Sequence, residues 1–491
     1  MHSKSKRLST IAAGMLGTLL PCAAQQSPTM PQQEMHMHHH ADIQPVEPLY
    51  PRMGRAQEQA QGRLFTLEEA QRLAAESNPT LRQAEAEIRA AKARVQQAVL
   101  YPNPTIGYTG DEIRGGSING GKQGFFVQQT VVAGGKLGKG RAVFEQESRV
   151  AELEAEEQKT RVQTSVKIAF YRLLAAQELL QFRRDLNQIG LSYLGSQEEL
   201  LRIGQLDESE KLQTEIEVQR LQLAAFEQEN ILREQWRRLA AVIGQPDLPQ
   251  STVAGDLEHG WPEINEQQIL ETIAAASPAT RIADAASARA AAEITLAKSQ
   301  AIPDMTLLGG LEFNNEPLPL GTAPQAVGWE GLAELSVQIP IFNRNQGNVV
   351  AATADLDRSQ LEKQRVQLVL RERAASVLDQ YTTAKVVATQ YREEILPRAR
   401  KANALMTEKY GQMLAAYPRM LQVRRKNFEL QAEYVQVLET VWTTSLALQG
   451  FLLTDGLEAP ARSTNSNHAT LGNNLPMPSR PPVPSEQMPL P

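Results

Sequence analysis

The 491-residue sequence contains one cysteine, Cys22, so no disulfide framework holds the chain together. Aromatic residues make up only 5% of it, while Ala, Gln, Glu and Arg are abundant. That composition suits long helices with charged faces better than the dense core of a globular enzyme. No basic block accompanies the formal charge of −6, which argues against a nucleic-acid footprint. Past residue 20 there is no apolar run of about eighteen residues, so no membrane-spanning helix is expected. Any insertion into a bilayer has to be through β-strands. Phosphate loops, HExxH pairs and nucleophile constellations are also missing. The chain is therefore not read as an enzyme, and no cofactor is expected.

What is present begins with Lys4, Lys6 and Arg7, an apolar run from Leu8 to Leu20, and then Cys22, Ala23 and Ala24. Residues 1–24 read as a secretory signal, too short to span a membrane. Two processing routes remain open, cleavage after Ala24 or lipidation at Cys22, although Pro21 fits a lipidation signal poorly. Residues 25–61 are rich in Pro, Gln, Met and His and should be flexible. They hold Met30, Met35, His36, Met37, His38, His39 and His40. Thioethers with imidazoles suit soft or borderline ions, Cu(I) or Ag(I) first and Zn(II) next. A low-complexity tail that merely tolerates these residues is the alternative. At the other end, residues 457–491 are rich in Ser, Asn and Pro and read as a disordered tail.

Between these ends the sequence is written twice. Thr66 with Glu69 forms a capping box for a short helix that stops at Asn78-Pro79. A second helix runs from Pro79 to about Val99 and is stopped by Pro102 and Pro104. TIGYTGDEI and FFVQQTVV then read as a strand pair, followed by helical sequence from Leu137 to Ile203, on the order of 100 Å long. Within it Val162, Val166, Ala169, Leu173, Ala176 and Leu180 step by four and three, the seam of a coiled coil. A return helix follows Gly204 and ends at Gly244. The second copy shows Pro278 for Pro79, Pro303 for Pro104, Gln338 for Gln129 and Tyr381 for Tyr171, with a hairpin loop about ten residues longer. Its long helix carries the seam Leu370, Ala374, Val377, Tyr381, Ala384 and Ala388, and Pro397 should kink or end its first section. The repeats are placed at residues 62–250 and 251–456.

The stretch from Trp329 to Asn348 changes character partway along. Trp329, Gly331, Ala333, Leu335, Val337, Ile339 and Ile341 alternate with polar residues as in a two-faced strand, and a very long helical pattern follows Asn343 to Gly347. Strands of about nine to eleven residues cross an outer membrane at a tilt. Met305, Leu307, Gly309, Leu311 and Phe313 are assigned to lipid, and Thr306, Glu312 and Asn314 to a lumen. Four strands leave open edges that lipid does not tolerate, so several copies are needed, and three would give twelve strands around a water-filled pore.

These residues carry a resemblance. ESNPTL with the downstream YPNP, IPIFNRNQGN leading into the long helix, EEILPRA around Pro397, and the IGQ and YGQ turns resemble the TolC-like outer-membrane factors, more narrowly the outer-membrane component of heavy-metal efflux systems. The match covers residues 64 to 456. It implies a mainly α fold with a small β part: a homotrimer with a periplasmic α-barrel and a twelve-stranded β-barrel in the outer membrane of a Gram-negative bacterium. It further implies docking to a periplasmic adaptor and an inner-membrane, proton-driven pump of the resistance-nodulation-division class. By position, the adaptor-contacting tips correspond to Ile203, Gly204, Gln205 and Leu206, and to Tyr410, Gly411, Gln412 and Met413. Pro418 in the second return helix, and the missing acidic residue after that turn, depart from the family pattern. Asp207, Glu208 and Glu210 beside the first tip are candidates for a cation-attracting ring; a solvated helix start explains them equally well. The function expected is an outer-membrane efflux channel for heavy-metal cations, copper or silver favoured over cobalt, zinc and cadmium. A general drug or organic-solute channel of the same fold, or a periplasmic adaptor or coiled-coil scaffold, are the alternatives.

Overall fold

The computed structural model describes residues 64–111, 121–204, 207–320, 323–415 and 417–460. The signal with Cys22, the Met30 to His40 cluster, Gln205, Leu206 and most of the tail lie outside the described residues. Helix α1 (Leu67–Ser77) starts as its capping box requires, with the Glu69 amide donating to Thr66 Oγ1 at 3.3 Å. Helix α2 (Pro79–Gln97) begins on Asn78, whose side chain accepts from the Thr80 amide and donates to the Val242 carbonyl at 2.7 Å. In the second repeat α5 (Glu266–Ala276) and α6 (Pro278–Ser299) follow the same plan, with Ser277 as the cap of α6. Each time proline occupies the first helical position, where a missing N–H costs nothing.

The long arms are α3 (Lys136–Arg202) with α4 (Glu208–Ile243), and α7 (Gln346–Gln390) continuing into α8 (Leu396–Gly411) with α9 (Tyr417–Gln449). At 67 residues α3 is far longer than any domain core requires. Its expected seam is buried throughout, from Val162 to Leu180. In α7, Ala374, Tyr381, Ala384 and Ala388 are buried, with Leu370 and Val377 packed at the margin. Between α7 and α8 residues Tyr391–Ile395 form a π-helical turn, immediately ahead of Pro397. A proline cannot donate to the preceding turn, and the wider turn accommodates that loss. Pro418 stands in the first turn of α9, where it is tolerated, and does not interrupt the helix.

The core lies where the two repeats meet. Tyr171 of α3 stacks on Trp442 of α9 with ring centroids 3.9 Å apart, and Trp442 Nε1 donates to the Leu257 carbonyl at 3.0 Å. Trp236 of α4 donates likewise to the Leu248 carbonyl and meets Phe65 edge to face. Both carbonyls belong to the segment linking the repeats, which is thereby fastened to the bundle. Val253 in that segment also bridges to Phe65 near the start of the described chain.

Strands β1 (Thr105–Asp111), β2 (Lys122–Val131), β3 (Met305–Leu320) and β4 (Ala323–Val337) form one antiparallel sheet in that order. Two expectations are corrected here. The extra residues of the second hairpin lengthen β3 and β4 to 16 and 15 residues instead of enlarging a loop. The Gln correspondence also shifts by one. Left-handed Gly135 before α3 matches left-handed Asn345 before α7, so Gln338 corresponds to Gln128 and not to Gln129. This keeps Val127 and Val337 on the same face. Strand β4 ends at Val337; Ile339 and Ile341 continue the alternation beyond it around Pro340, where the Ile341 amide turns back to the Ile339 carbonyl.

Candidate functional site

The sheet has two chemically different faces. On one, Ile106, Tyr108, Phe125, Val127, Leu307, Leu311, Trp329 and Leu335 are exposed apolar groups in adjoining register positions. Tyr108 and Phe125, and Phe313 and Trp329, meet edge to face with centroids 5.5 Å apart. Such a continuous exposed apolar surface marks contact with lipid or another protein. The face assigned to lipid from β3 alone thus extends over all four strands.

The opposite face carries the charged groups of the sheet, alongside Phe126, Leu308 and Leu332. Glu312 and Glu330 stand directly opposite each other in the β3–β4 register. Lys122 Nζ lies 3.3 Å from Glu330, and Asn314 Nδ2 donates to the same carboxylate at 3.0 Å. Glu334, exposed, adds a further carboxylate four residues beyond Glu330 on the same strand. One lysine among three glutamates leaves the face acidic. Sequence reading placed Glu312 and Asn314 there but not the Lys122 contact, which the β2–β3 pairing creates and no local pattern reveals.

Where strands give way to helices, the chain is fastened by side chains. Asp304 accepts from Lys136 Nζ at 2.8 Å and from the Ala133 amide at 2.9 Å. Asn345 takes a φ of 60° and donates from its amide to the Ala297 carbonyl at 2.8 Å and to Gln300 at 3.0 Å. The two transitions stand at the same point of each repeat.

At the far ends of the helical arms lie the turns. Gly204 follows α3 with φ at 71°, its amide donating to the Leu201 carbonyl at 3.0 Å. In the second turn the residue with that conformation is Met413, φ 59°, and not Gly411, which is still helical. Gln412 is the helix cap, and Met413 is 94% exposed. Asp207 caps α4 and accepts from the Ser209 hydroxyl, which together with backbone amides holds its carboxyl below the usual range. Glu208 and Glu210 fill the exposed first turn of α4, where a helix N-terminus favours negative charge. Above the turns Gln197 links α3 to α4, bonding Tyr193 of its own helix and accepting from Thr214 Oγ1 at 2.9 Å. Burial raises the Tyr193 pKa, and nearby Glu210 and Tyr410 push the same way.

Among the described residues no group of three or more His, Cys, Asp or Glu side chains is placed to hold a metal ion. Two carboxylates are shifted strongly upward. Glu154 and Glu178 are each pushed up to about 7, chiefly by burial, Glu154 with help from Glu157 and Glu87, and Glu178 from Glu258 and Asp256. Both lie on α3 among packed helices.

The chain therefore combines a four-stranded sheet that has an exposed apolar face with long paired helical arms. No family model matches the chain. It is 22% identical over 405 residues to the cobalt-zinc-cadmium resistance protein CzcC of Cupriavidus metallidurans, covering 82% of this chain and 92% of that protein. The crystal structure of CusC superposes with a TM-score of 0.63 at 16% identity, covering 79% of this chain and 91% of CusC. The Campylobacter jejuni CmeC outer membrane channel superposes with a TM-score of 0.62 at 15% identity, covering 82% and 88%. The chain thus shares the fold of the CusC and CmeC channel structures.

Proposed function

We propose that three copies of this chain form the outer-membrane conduit of a tripartite efflux system that exports heavy-metal cations. In this reading the apolar face of the sheet meets lipid and the acidic face lines the pore. The helical arms cross the periplasm, and the Gly204 and Gly411–Gln412 turns meet an adaptor that is coupled to a proton-driven inner-membrane pump. The observation that carries it is the two-faced sheet with open edges at β1 and β4, since such a sheet is stable in a bilayer only when closed by further copies. Asp207, Glu208 and Glu210 form the candidate cation ring at the periplasmic entrance. Purified protein should run as a trimer from outer-membrane fractions and conduct ions in planar bilayers. A soluble monomer without conductance would sink the reading.

For the cargo, copper or silver follows from the donors Met35, His36, Met37, His38, His39 and His40. The likeness to a cobalt-zinc-cadmium resistance protein supports the second reading, in which zinc, cobalt and cadmium are exported. Growth of a deletion strain across these metals separates them. Lost copper and silver tolerance favours the first, and lost zinc, cobalt and cadmium tolerance the second.

A further inference from the structure

The internal repeat predicts how one copy pairs with the next. Matching Pro79 with Pro278 carries β1 onto β3, and matching Gly135 with Asn345 carries β2 onto β4. The correspondence is tested within the chain. It sends the pair Ile106–Val127 to Met305–Val337 and the pair Tyr108–Phe125 to Leu307–Leu335, and both images are pairs in the β3–β4 ladder. The same operation applied to the β2–β3 ladder has no image inside the chain. It sends Val127–Gly309 to Val337–Gly110 and Phe126–Gly310 to Ser336–Asp111, both pairs across the open edges of β4 and β1.

We propose that β4 of each copy pairs antiparallel with β1 of a second copy in this register, Val337 opposite Gly110 and Ser336 opposite Asp111. The inference rests on the multi-copy barrel proposed above and fixes its subunit boundary. The faces agree, since Val337 and Gly110 both fall on the apolar side and Ser336 and Asp111 on the polar side. A slip of one residue would turn every side chain to the wrong face.

The helices point to the same neighbour. In the first repeat α3 packs against α6, with Val150 and Leu153 on Ile282 and Ala285, and with Arg281 bridging to Glu156 at 2.8 Å. The repeat then places α2 of a second copy beside α7. On α7 Leu361 and Leu368 are 64% and 65% exposed, whereas their α3 counterparts Ala151 and Gln158 are each 2% exposed.

The test is disulfide cross-linking of the full-length protein in outer membranes, with V337C/G110C, S336C/D111C, the shifted pair L335C/G110C and each single variant. The single variants control for Cys22. A disulfide needs Cα atoms about 4.4–6.8 Å apart, so the two matched pairs should give at least about tenfold more inter-copy product than the shifted pair. Dominant cross-linking of L335C/G110C overturns the register. So does a lack of product from every pair in protein that still migrates as a conducting oligomer. Loss of oligomer and conductance in the unmodified protein overturns the channel reading itself, and conductance measured on reduced samples distinguishes these failures.

Discussion

Arg425 of α9 donates to Glu217 of α4 at 2.8 Å while its Nε holds Glu429 of its own helix at 3.1 Å. This contact joins the two helical arms of one chain below the core. It borders a cavity of about 290 Å³ lined by Phe182, Leu186, Leu221 and Phe428. The arginine is half exposed, so R425A should cost no more than about 1 kcal/mol. The charge swap E217R/R425E should recover part of that loss, since it restores the contact with α4 but faces Glu429 with like charge. Thermal melts of the detergent-solubilised protein read both, and a swap no better than R425A would show that the pair is not coupled.

Glu178 links stability to pH. Its pKa is raised from 4.5 to about 7, first by burial and then by Glu258 and Asp256. The folded protein therefore binds a proton that the unfolded chain releases. Stability falls as pH rises from about 4.5 to about 7, and the cost is fully present above that range. E178Q should leave the melting temperature nearly unchanged at pH 4 and raise it at pH 8. An equal shift at both values would assign the effect to packing.

The acidic face of the sheet should select ions. E312Q/E330Q/E334Q removes three carboxylates and leaves Asp111 beside Lys122, so the wall turns from acidic to nearly neutral. The reversal potential of bilayer currents under a salt gradient should move from the cation side toward zero. An unchanged potential would place selectivity elsewhere, with Asp207, Glu208 and Glu210 at the turns next to be tested.

Two glycines in the same left-handed conformation should differ in tolerance. At Gly204, φ 71°, an added Cβ meets nothing within 4 Å, so G204A carries only the conformational cost of about 1–2 kcal/mol. At Gly244, φ 89°, the same atom would lie 2.7 Å from the Ser77 carbonyl oxygen. G244A should therefore lower the melting temperature well beyond G204A. Equal losses would mean that the α1–α2 corner yields.

Much of this architecture can be read from residue order because its signals are local. Thr66 with Glu69, Pro79, Pro278 and Gly244 announce helix ends within a few residues, and the seam from Val162 to Leu180 is a spacing rule. The repeat supplied the topology, since each half had to make the same elements. What escaped depends on distant chain segments. The contact of Lys122 with Glu330 exists only because β2 and β4 both flank β3. The exchange of roles between Gly411 and Met413 follows from helix α8 ending two residues later than its glycine suggests, a choice made by the last hydrogen bonds of the arm. The one-residue slip in the Gln128 correspondence arose because two adjacent glutamines match equally well by letter, and only the strand face decides between them.

The open edges of β1 and β4 also bear on the life of the chain before it assembles. Among the described residues no strand lies beyond β1 or β4, and the apolar face of the sheet is bare, a combination that invites indiscriminate strand addition in water. The chain's time as a free species has to be short, or escorted. Production rate should thus govern yield more than thermodynamic stability does, with overexpressed chain accumulating as aggregate while the finished oligomer resists heat.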